Sequence, residues 1–582
     1  MRMSQLFSQT KRETPADAET TSHQLLQRAG FIRQLGTGIF TYLPLAKRSL
    51  SKIENIMRDE INAIGGQEIT MPVVHPAEIW QESGRWYQIG SEMGRFKDKN
   101  NHDMVLSMTH EEVIASLVRD EIRSYRQLPQ LLYHIQTKWR DDPRPRAGLI
   151  RAREFTMKDS YSLDADQSGL DKQYDAHYHA YQKIFQRCYL PVIAVKSDTG
   201  MMGGNIAHEF MYLTPVGEDT LMICDNCGYS ANRQIAGYTK QAIMDERELP
   251  LEKVSTPDCK TIEDLAAYLS IPTYKTAKAV FMIATIPQGK EILEHFVFII
   301  VRGDMEVNET KLANILHAIT LRPAVNAEIR AVGAVPGYAS PVGLTNVLVI
   351  VDEVIPRSKN LVSGANIEGY HWRNVNFGRD YQAEIVADIT LAKDGDECIV
   401  CGRSLHSVRG VDVGNIFKLG TRYSESMDCN YLDKEGKSNP IYMGSYGIGT
   451  GRLLACIVEE HHDEHGIIWP ISISPYQIQL IVVPWKPIDI GGEGQNKAEM
   501  LFQKFNEVHL ECLYDDREES PGIKFNDADL IGNPIRLTLS ERSLKNGGVE
   551  YKRRDRPEKM IIPYENIIPF IQEEIKILES IV

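Results

Sequence analysis

The sequence predicts an α+β protein with several domains, and three observations lead to that prediction. The chain has 582 residues, which is more than one hydrophobic core normally organises. Helical stretches and strand-like runs both occur before residue 224, where the sequence changes to a mainly β-rich pattern. Two Cys-x-x-Cys pairs flank a β-rich central segment, and strands alternate with helical stretches after residue 470, which indicates a small C-terminal α/β domain.

The composition argues against several classes of protein. The formal net charge of −14 and the sequence pI of about 5.7 disfavour indiscriminate nucleic-acid binding, which needs a broad positive surface, but allow a local basic face. No apolar run approaches the ~18 residues that a membrane span needs. Nine cysteines without a secretion signal favour the reducing cytosol. We therefore expect a cytoplasmic protein with no membrane partner.

Three helices are expected in the N-terminal part. Residues 45–64 place apolar side chains at spacings of 3, 4, 4 and 3, and Gly65-Gly66 ends this helix. A strand interrupted by Pro72 follows, and the next helix begins within "THEEVIASLVRDEI". The third helix carries an aromatic stripe that we interpret as core packing, formed by Tyr174, Tyr178, Tyr181 and Phe185.

The central segment is expected to be a domain spliced into another. Strand-like runs such as "HFVFIIV" and "NVLVIVDEV" dominate it, and a Cys-x-x-Cys pair stands at each border. An insertion needs entry and exit points that lie close together, which these paired motifs fit. The predicted domains are 1–223 continued by 408–469, the insertion 224–407, and the C-terminal domain 470–582.

An arginine-rich segment at residues 136–159 is predicted to form a hairpin, with "YHIQTKWR" and "LIRAREFTM" as its strands. Residues two apart on a strand share a face, so Arg151, Arg153 and Phe155 are expected to line one face of the return strand. Arg140 ends the incoming strand. Guanidinium groups bind phosphate in a bidentate manner, and an aromatic ring can stack on a purine. The alternative is that these arginines pair with acidic neighbours, namely Asp141, Asp142, Glu154 and Asp159.

The segment "GSYGIGTGRLLACIVEE" (444–460) is a second candidate anion site. Its glycines bring the backbone close to another group, and Arg452 stands at the start of an apolar helix, whose N-terminus attracts anions. A tight turn into a core helix is the alternative. Two nucleotide-binding motifs are excluded, because Tyr431 stands where a P-loop needs glycine and Arg452 stands where the dinucleotide fingerprint needs glycine. A phosphate site must therefore use side-chain cations.

In chain order, the helix and strand around Pro72, the arginine hairpin and the glycine–arginine segment resemble motifs 1, 2 and 3 of class II aminoacyl-tRNA synthetases. The resemblance implies an antiparallel class II sheet with helices and binding of ATP. One residue departs from the pattern, because the family usually has glutamate where Asp142 stands, which implies an altered contact with the adenine amino group. The ATP-binding residues implied by the motifs are Arg140, Asp142, Arg151, Phe155, Gly451 and Arg452.

Longer segments look like bacterial-type prolyl-tRNA synthetases, and the likeness runs essentially end to end: "MTHEE", "RAREFTMKDSYS", "SGANIEGYHWRNVNFGRD" and "DDREESPGIKFNDADLIGNPIRLTL". This resemblance implies a homodimer that joins L-proline to ATP with Mg²⁺ and passes the prolyl group to tRNA(Pro). It also implies an α/β editing domain inserted between motifs 2 and 3, and a C-terminal α/β anticodon-binding domain. The rival interpretations are a synthetase for another amino acid and a catalytically silent, RNA-binding paralogue.

The resemblance assigns roles in nucleotide binding and catalysis. Arg140 holds the α-phosphate and the substrate carboxylate, Arg151 and Arg452 bind the outer phosphates, and Phe155 stacks on adenine. Such a reaction depends on positioning and charge neutralisation, and no candidate general base stands out. Arg140 and Arg452 are therefore the candidate catalytic residues.

Proline binding is assigned, again by the resemblance, to Thr109, Glu111 and His208 together with Arg140. Glu111 is chemically suitable because a secondary ammonium group needs an anionic acceptor. The residue types also fit a capping box, in which Thr109 and Glu112 cap the helix and leave Glu111 available. A single histidine such as His208 is equally well explained as a structural residue.

The insertion has a chemical reason in this family. A pocket that admits proline cannot strongly reject alanine, because a missing methylene is worth only about 1–3 kcal/mol. Hydrolysis of the wrong product at a second site solves this problem. The editing positions implied by the resemblance are Lys278, Gly337, Pro341 and His371, although an exposed surface lysine is the ordinary explanation for Lys278 taken by itself.

Two further groups of residues allow alternative interpretations. The spacing of Cys224, Cys227, Cys398 and Cys401 is that of a tetrahedral structural zinc site, and reduced cytosolic thiols are the alternative. In the C-terminal domain, a basic run offers phosphate contacts to RNA or simply forms an exposed basic face. Its members are Lys552, Arg553, Arg554 and Arg556.

Overall fold

The computed structural model describes residues 1–204, 206–241, 246–288, 291–483 and 493–580. It contains two compact units. The first comprises residues 1–194, 199–218 and 410–582, and the second comprises residues 195–198 and 219–409. The predicted insertion at 224–407 falls within the second unit, whereas the predicted C-terminal domain belongs to the first.

A largely antiparallel sheet carries the predicted motifs of the first unit. Its strands lie in the order β4-β5-β6-β3-β2-β1, and all neighbours are antiparallel except β1 and β2, which are parallel. β3 is buried on both faces from Lys158 to Asp164, so both faces of the sheet are covered along this part of the strand. The strands are β1 (Gln67–Glu68), β2 (Gln130–Trp139), β3 (Glu154–Asp164), β4 (Ile206–Leu213), β5 (His406–Gly420) and β6 (Tyr442–Gly449).

The main helices of this unit follow from the expected sequence signals. They are α1 (Pro44–Ala63), α2 (Glu111–Glu121), α3 (Gln167–Arg187) and α4 (Thr450–Glu460). Proline occupies the first turn of α1, where a missing amide hydrogen costs nothing. The Asp166 side chain caps α3 by accepting a hydrogen bond of 2.8 Å from the Gly169 amide. The aromatic stripe of α3 is packed into the core, as predicted, with Tyr174, Tyr181 and Phe185 fully or almost fully buried.

One face of the sheet buries a lysine beneath α3. The Lys158 ammonium group of β3 contacts the hydroxyl of Tyr181 at 2.7 Å, the hydroxyl of Ser160 at 3.0 Å and the carbonyl oxygen of Tyr446 at 3.1 Å. Burial lowers the pKa of Lys158 to about 7. Because neighbouring residues on a strand point to opposite faces, Asp159 projects from the other side of the sheet.

Smaller elements complete the first unit outside its C-terminal domain. Its other helices are Thr21–Arg28, Ala77–Glu82, Arg85–Gln88 and Arg422–Ser426. Its other strands are Ile32–Gly36, Ile39–Tyr42, Val74–Pro76, Arg95–Lys97, Asp103–Leu106, Asn430–Leu432, Ser438–Pro440, His462–Asp463 and Gly466–Ile467.

The second unit is built around a mixed sheet and a polar centre. The strands of this sheet, in spatial order, are Thr320–Pro323, Ala277–Gln288, Glu291–Arg302, Leu348–Asp352 and Ile385–Ala387. The buried Lys240 ammonium group is paired with Asp352 and Asp388, each at 2.6 Å. A three-stranded sheet has the order Glu252–Ser255, Tyr370–Val375 and Leu361–Gly364.

The remaining elements of this unit are short. The helices are Ile262–Leu269, Glu309–Leu316 and Asn326–Ala331. The other strands are Ile193–Ser197, Asp219–Ile223, Ser230–Asn232, Tyr238–Thr239 and Glu397–Cys398.

The C-terminal domain has its own apolar core around a five-stranded sheet. In spatial order the strands are Cys512–Asp515, Ile478–Val482, Ile535–Leu539, Gly548–Arg553 and Lys559–Pro563, of which the first three are mutually parallel. The helices are Glu493–Glu507, Pro521–Ile531, Glu541–Lys545 and Ile567–Glu579. Among the described residues, no helix is long and apolar enough to cross a membrane.

Two members of the basic run in this domain have internal partners. Arg553 is paired with Asp555 at 2.6 Å and Glu574 at 3.4 Å, and Arg554 is paired with Asp463 at 2.6 Å. Both arginines are only 8% exposed. The prediction that these two arginines form a phosphate-binding or exposed basic surface is therefore wrong, because they are buried in ion pairs with carboxylates of the first unit.

Candidate functional site

The connection between β2 and β3 differs from the predicted hairpin. A 3-10 turn at Gly148–Ile150 precedes β3, which begins only at Glu154. Ala147 and Gly148 have φ angles of 55° and 61°, so the chain turns sharply here. A Cβ on Gly148 would lie 2.8 Å from the His23 ring, so only glycine fits. The prediction that Arg151 shares a strand face with Phe155 is therefore wrong.

Arg140 has the environment of an anion-binding residue. Its guanidinium group lies 5.3 Å from the centre of the Phe155 ring, and its Nε lies 3.4 Å from the Met108 carbonyl oxygen. No carboxylate of the described residues lies within ion-pair distance of it. Burial, and then the charge of Arg452, lower the pKa of Arg140 below its ordinary value. The electrostatic influence of Arg452 on Arg140 favours an anionic ligand that interacts with both cations.

Arg452 is held in place by the backbone around it. Its Nε donates to the Ile150 carbonyl oxygen at 2.8 Å, and its Nη1 donates to the Asp412 carbonyl oxygen at 2.7 Å. The preceding Gly451 is required by packing, because a Cβ there would lie 2.5 Å from the Tyr42 hydroxyl oxygen. The guanidinium group therefore has a fixed place in the first turn of α4, where the helix amides also favour an anion.

For Arg151 the alternative of acidic partners is the one observed. Its Nε donates to Asp142 Oδ2 at 2.7 Å, and its Nη1 is paired with Glu218. The Asp142 carboxylate holds the pKa of Arg151 above its ordinary value. Arg153 lies 3.3 Å from Asp141. Sequence reasoning missed Glu218, which is distant in the chain and belongs to no motif.

The segment Thr109–Glu111 forms a buried acidic corner beside β6. Glu111 Oε2 accepts a hydrogen bond from the Thr109 hydroxyl, and Oε1 accepts one of 2.8 Å from the Ser445 hydroxyl. Arg85 Nη1 lies 3.6 Å from Glu111 Oε2. No local pattern in the sequence indicates Ser445 or Arg85, because both approach this corner only through the fold.

The predicted capping box is wrong. Helix α2 begins at Glu111, and its N-cap residue His110 makes no side-chain capping bond. Glu112 is instead fully buried and paired with Arg85 at 3.0 Å. Burial opposes the charge of Arg85, but the carboxylates of Glu112 and Glu111 raise its pKa above the ordinary value. Glu112 therefore forms an ion pair with Arg85 rather than capping the helix, and the Thr109 hydroxyl donates its hydrogen bond to Glu111.

His208 lies on β4, opposite Ile416 of β5. Its Nδ1 shares a hydrogen bond of 2.6 Å with the Tyr174 hydroxyl, and its ring packs edge-on against Tyr178. These contacts tie His208 to α3.

In the second unit, the structure brings His371 and the loop after Gly337 together. The His371 ring centre lies 5.3 Å from that of Tyr338, and His371 Nδ1 shares a hydrogen bond of 2.6 Å with the Thr256 hydroxyl. Gly364 pairs with His371 across the sheet, and a Cβ on Gly364 would lie 2.1 Å from the Tyr338 carbonyl carbon, so the loop packs directly on this strand. Burial lowers the pKa of His371 to about 4, so it is neutral at pH 7.

The other editing candidates belong to the same unit. Lys278 is on the strand Ala277–Gln288, opposite Val301, and Pro341 is in the loop whose Ser340 amide donates to Asn366. The hydroxyl of Ser363, next to the His371 strand, is buried and has no hydrogen-bond partner among the described residues. Sequence reasoning singled out neither Thr256 nor Ser363.

The four cysteines of the two Cys-x-x-Cys pairs meet in the second unit. The Sγ atoms of Cys224 and Cys401 are 3.5 Å apart, those of Cys227 and Cys398 are 3.7 Å apart, and all four lie within 4.8 Å of one another. Zinc–sulfur bonds of about 2.3 Å in a tetrahedron require sulfur–sulfur separations of about 3.8 Å. The four thiols therefore fit a zinc ion without rearrangement.

Comparisons with known proteins agree with this geometry. The family model described as tRNA synthetase class II core domain (G, H, P, S and T) matches residues 95–461, and the model described as anticodon binding domain matches residues 477–574. A proline–tRNA ligase of Salinispora tropica is 49% identical over 581 residues, covering 100% of this chain and 97% of that protein. A proline–tRNA ligase of Dehalococcoides mccartyi is 48% identical and covers 98% of both chains.

Solved structures show the same fold at low identity. The prolyl-tRNA synthetase of Cryptosporidium parvum in complex with halofuginone and AMPPNP has a TM-score of 0.58 at 13% identity, covering 97% of this chain and 80% of that one. Its complex with L-proline and AMP has a TM-score of 0.57, covering 97% and 78%. With its class II core, its anticodon-binding domain and relatives matched over their full length, the chain belongs to the proline–tRNA ligases, a family of class II aminoacyl-tRNA synthetases.

Proposed function

We propose that this chain activates L-proline with ATP and transfers the prolyl group to the 3′ end of tRNA(Pro). The proline carboxylate attacks the α-phosphorus, the bond to the bridging oxygen of the β-phosphate breaks, and pyrophosphate leaves. Transfer to the terminal ribose then releases AMP. The observation that carries this proposal is that Arg140 lies 5.3 Å from the centre of the Phe155 ring, has no carboxylate partner among the described residues and interacts electrostatically with both Arg452 and Glu111.

The acidic corner and Arg140 together suit a zwitterionic amino acid. The Glu111 carboxylate interacts electrostatically with Arg140. Its charge acts to raise the pKa of the guanidinium group, whereas burial has the larger effect and lowers this pKa. Glu111 with Thr109 binds the secondary ammonium group of proline, and Arg140 binds the carboxylate and then the α-phosphate. His208 is proposed as a more distant wall of the pocket, supported by its fixed contact with Tyr174.

ATP lies along the arginines of the two motifs. Phe155, already beneath a cation, stacks on adenine, and Arg452 binds the outer phosphates at the glycine-rich start of α4, next to Gly451. Arg151 exchanges Glu218 for a phosphate when ATP binds, while Asp142 remains its partner. Asp412 and Glu218 carry the hard carboxylate oxygens that would suit Mg²⁺, and the ion, when bound, would neutralise phosphate charge.

The proposed partners follow from the same assignment. The C-terminal domain binds tRNA(Pro), as its match to an anticodon-binding family supports. We propose a homodimer in the cytoplasm. The resemblance of the helix and strand around Pro72 to motif 1 of class II synthetases supports the homodimer, and nine free cysteines fit a reducing compartment.

Replacement of Arg452 tests the catalytic assignment. We expect Arg452→Ala to lower proline-dependent ATP–pyrophosphate exchange by about 100-fold or more, because a positioned cation that stabilises transition-state charge is lost. Arg144→Ala is the matched control, since Arg144 is an exposed arginine of the same connection, and it should retain nearly full exchange. Thermal melting of both variants monitors folding. Full exchange by folded Arg452→Ala would refute the role.

We also propose that the second unit hydrolyses alanyl-tRNA(Pro). Its site consists of His371, Lys278 and the loop from Gly337 to Pro341, supported by the contact of His371 with this loop and by the unpartnered Ser363 hydroxyl beside it. Such a second site is needed because pocket size alone discriminates poorly against a smaller amino acid.

The editing assignment predicts a separation of activities. His371→Ala should slow deacylation of alanyl-tRNA(Pro) by about tenfold or more and leave proline-dependent pyrophosphate exchange unchanged. His317→Asn, at an exposed left-handed position of the same unit, is the control and should deacylate normally. Equal deacylation by the His371 and His317 variants would contradict the assignment.

We propose finally that the four cysteines hold a structural zinc ion. Purified protein should contain about one zinc per chain by elemental analysis, and Cys401→Ser should lose it and melt at a lower temperature. Cys259→Ser, which removes a buried thiol elsewhere in the unit, should retain the metal. Metal-free wild-type protein with unchanged melting after chelation would show that the thiols are simply reduced.

A further inference from the structure

A buried polar cluster lies on the face of the sheet opposite Lys158. The Lys138 ammonium group of β2 is completely buried. It contacts Asp159 Oδ2 at 2.7 Å, His110 Nδ1 at 2.7 Å and His134 Nε2 at 2.8 Å. The two histidines and the aspartate have the composition and spacing of a metal site, and the lysine ammonium group occupies the place of the cation.

The proton positions in this cluster follow from its hydrogen bonds. His110 Nε2 lies 2.8 Å from the Pro72 carbonyl oxygen, which can only accept, so Nε2 carries the proton and Nδ1 accepts from Lys138. Burial lowers the pKa of His110 to about 2, so this imidazole is neutral. Burial also opposes the charge of Asp159, yet Lys138 and His134 hold the pKa of Asp159 below its ordinary value.

The cluster is joined directly to the acidic corner. His110 is the residue between Thr109 and Glu111, so its side chain anchors the backbone that presents both groups. The Tyr161 hydroxyl donates to Asp159 Oδ2 at 3.1 Å, and the Thr109 hydroxyl donates to Glu111 Oε2. The corner is thus fixed through its backbone at His110 and through the hydrogen bond between its own two side chains.

The cluster also balances charge around the corner. Lys138 neutralises Asp159, and Arg85 neutralises Glu112 at 3.0 Å, whereas its distance to Glu111 is 3.6 Å. Glu111 is therefore the carboxylate of this group that remains for a substrate cation. Without Lys138, the buried Asp159 carboxylate would compete for any nearby positive charge, including that of the substrate.

We propose that Lys138, through His110 and Asp159, is a positioning residue that sets the affinity of the acidic corner for the secondary ammonium group of proline. This inference rests on the proposed function, in which Thr109 and Glu111 bind that group. Lys138 itself does not touch substrate. It holds His110 by a hydrogen bond and removes the charge of Asp159 from the corner.

Exchange of His110 separates the hydrogen bond from packing. Asparagine places its oxygen near the position of Nδ1 and keeps an acceptor for Lys138, whereas glutamine reaches the position of Nε2 and keeps only the donor to Pro72. In ATP–pyrophosphate exchange we expect His110→Gln to raise the KM for proline about tenfold, with less than about a threefold change in the KM for ATP. His110→Asn should remain within about threefold of wild type for both substrates. Equal KM values for proline in the two variants, or the reverse order, would overturn the proposal.

A double-mutant cycle tests the charge balance. Lys138→Met and Asp159→Asn should each raise the KM for proline. The fold increase in this KM for the double variant should be at least about fivefold smaller than the product of the two single fold increases, because the double variant contains no unpaired charge. Lys158→Met is the matched control, because Lys158 is an equally buried lysine on the other face of the sheet. This variant should leave the ratio of the KM for proline to the KM for ATP unchanged. Multiplicative effects, or equal increases in the KM for proline and ATP, would overturn the proposal.

Glu111→Gln distinguishes the inference from the function on which it rests. If Glu111→Gln leaves the KM for proline unchanged, the assignment of the acidic corner is itself wrong. If Glu111→Gln raises this KM and the His110 and Lys138 variants do not, only the positioning role fails.

Discussion

Burial of ionisable groups at the centre of the antiparallel sheet constrains how the elements of the first unit pack. β3 places Lys158 and Asp159 side by side in sequence and on opposite faces, so each face must accommodate one ionisable group. On one face, α3 and β6 supply oxygen atoms to Lys158. On the other, Lys138 of β2 pairs with Asp159. Because an unpaired buried charge is strongly destabilising, these pairings fix how the helices and loops lie on the sheet.

The same constraint determines which charges are left for a substrate. Glu112 and Asp159 are neutralised by buried cations, and Arg151 is neutralised by carboxylates. Arg140 lies beside Phe155 and has no ionic partner in the part of the chain that the structure describes, and Glu111 retains its capacity to bind a cation. A substrate that carries a carboxylate and a secondary ammonium group matches both, and the pairing needs no general base. We therefore propose that the chemistry of this site is one of positioning and charge neutralisation.

The sequence predicts the fold and the residues of the site that belong to contiguous motifs. The class II fold is confirmed, and Arg140 and Phe155 are adjacent because both belong to one hairpin. Local patterns failed where long-range contacts decide. The spacing of Thr109 and Glu112 predicted a capping box, but Glu112 is paired with the buried Arg85 instead. A left-handed turn at Ala147 displaces Arg151 from the strand. Ser445 and Lys138 have no local signature, because they reach the corner only through strand pairing.

The most direct test of this account is amino-acid-dependent ATP–pyrophosphate exchange, measured without tRNA on the wild-type chain for all twenty amino acids. Membership of the proline–tRNA ligases, together with the assignment of Glu111 to a secondary ammonium group, predicts strong exchange with proline and weak exchange with alanine or cysteine, which a proline site rejects only incompletely. Stronger exchange with another amino acid would contradict the assignment of Glu111 to a secondary ammonium group. Exchange with none of them would indicate a protein that binds RNA without activating an amino acid.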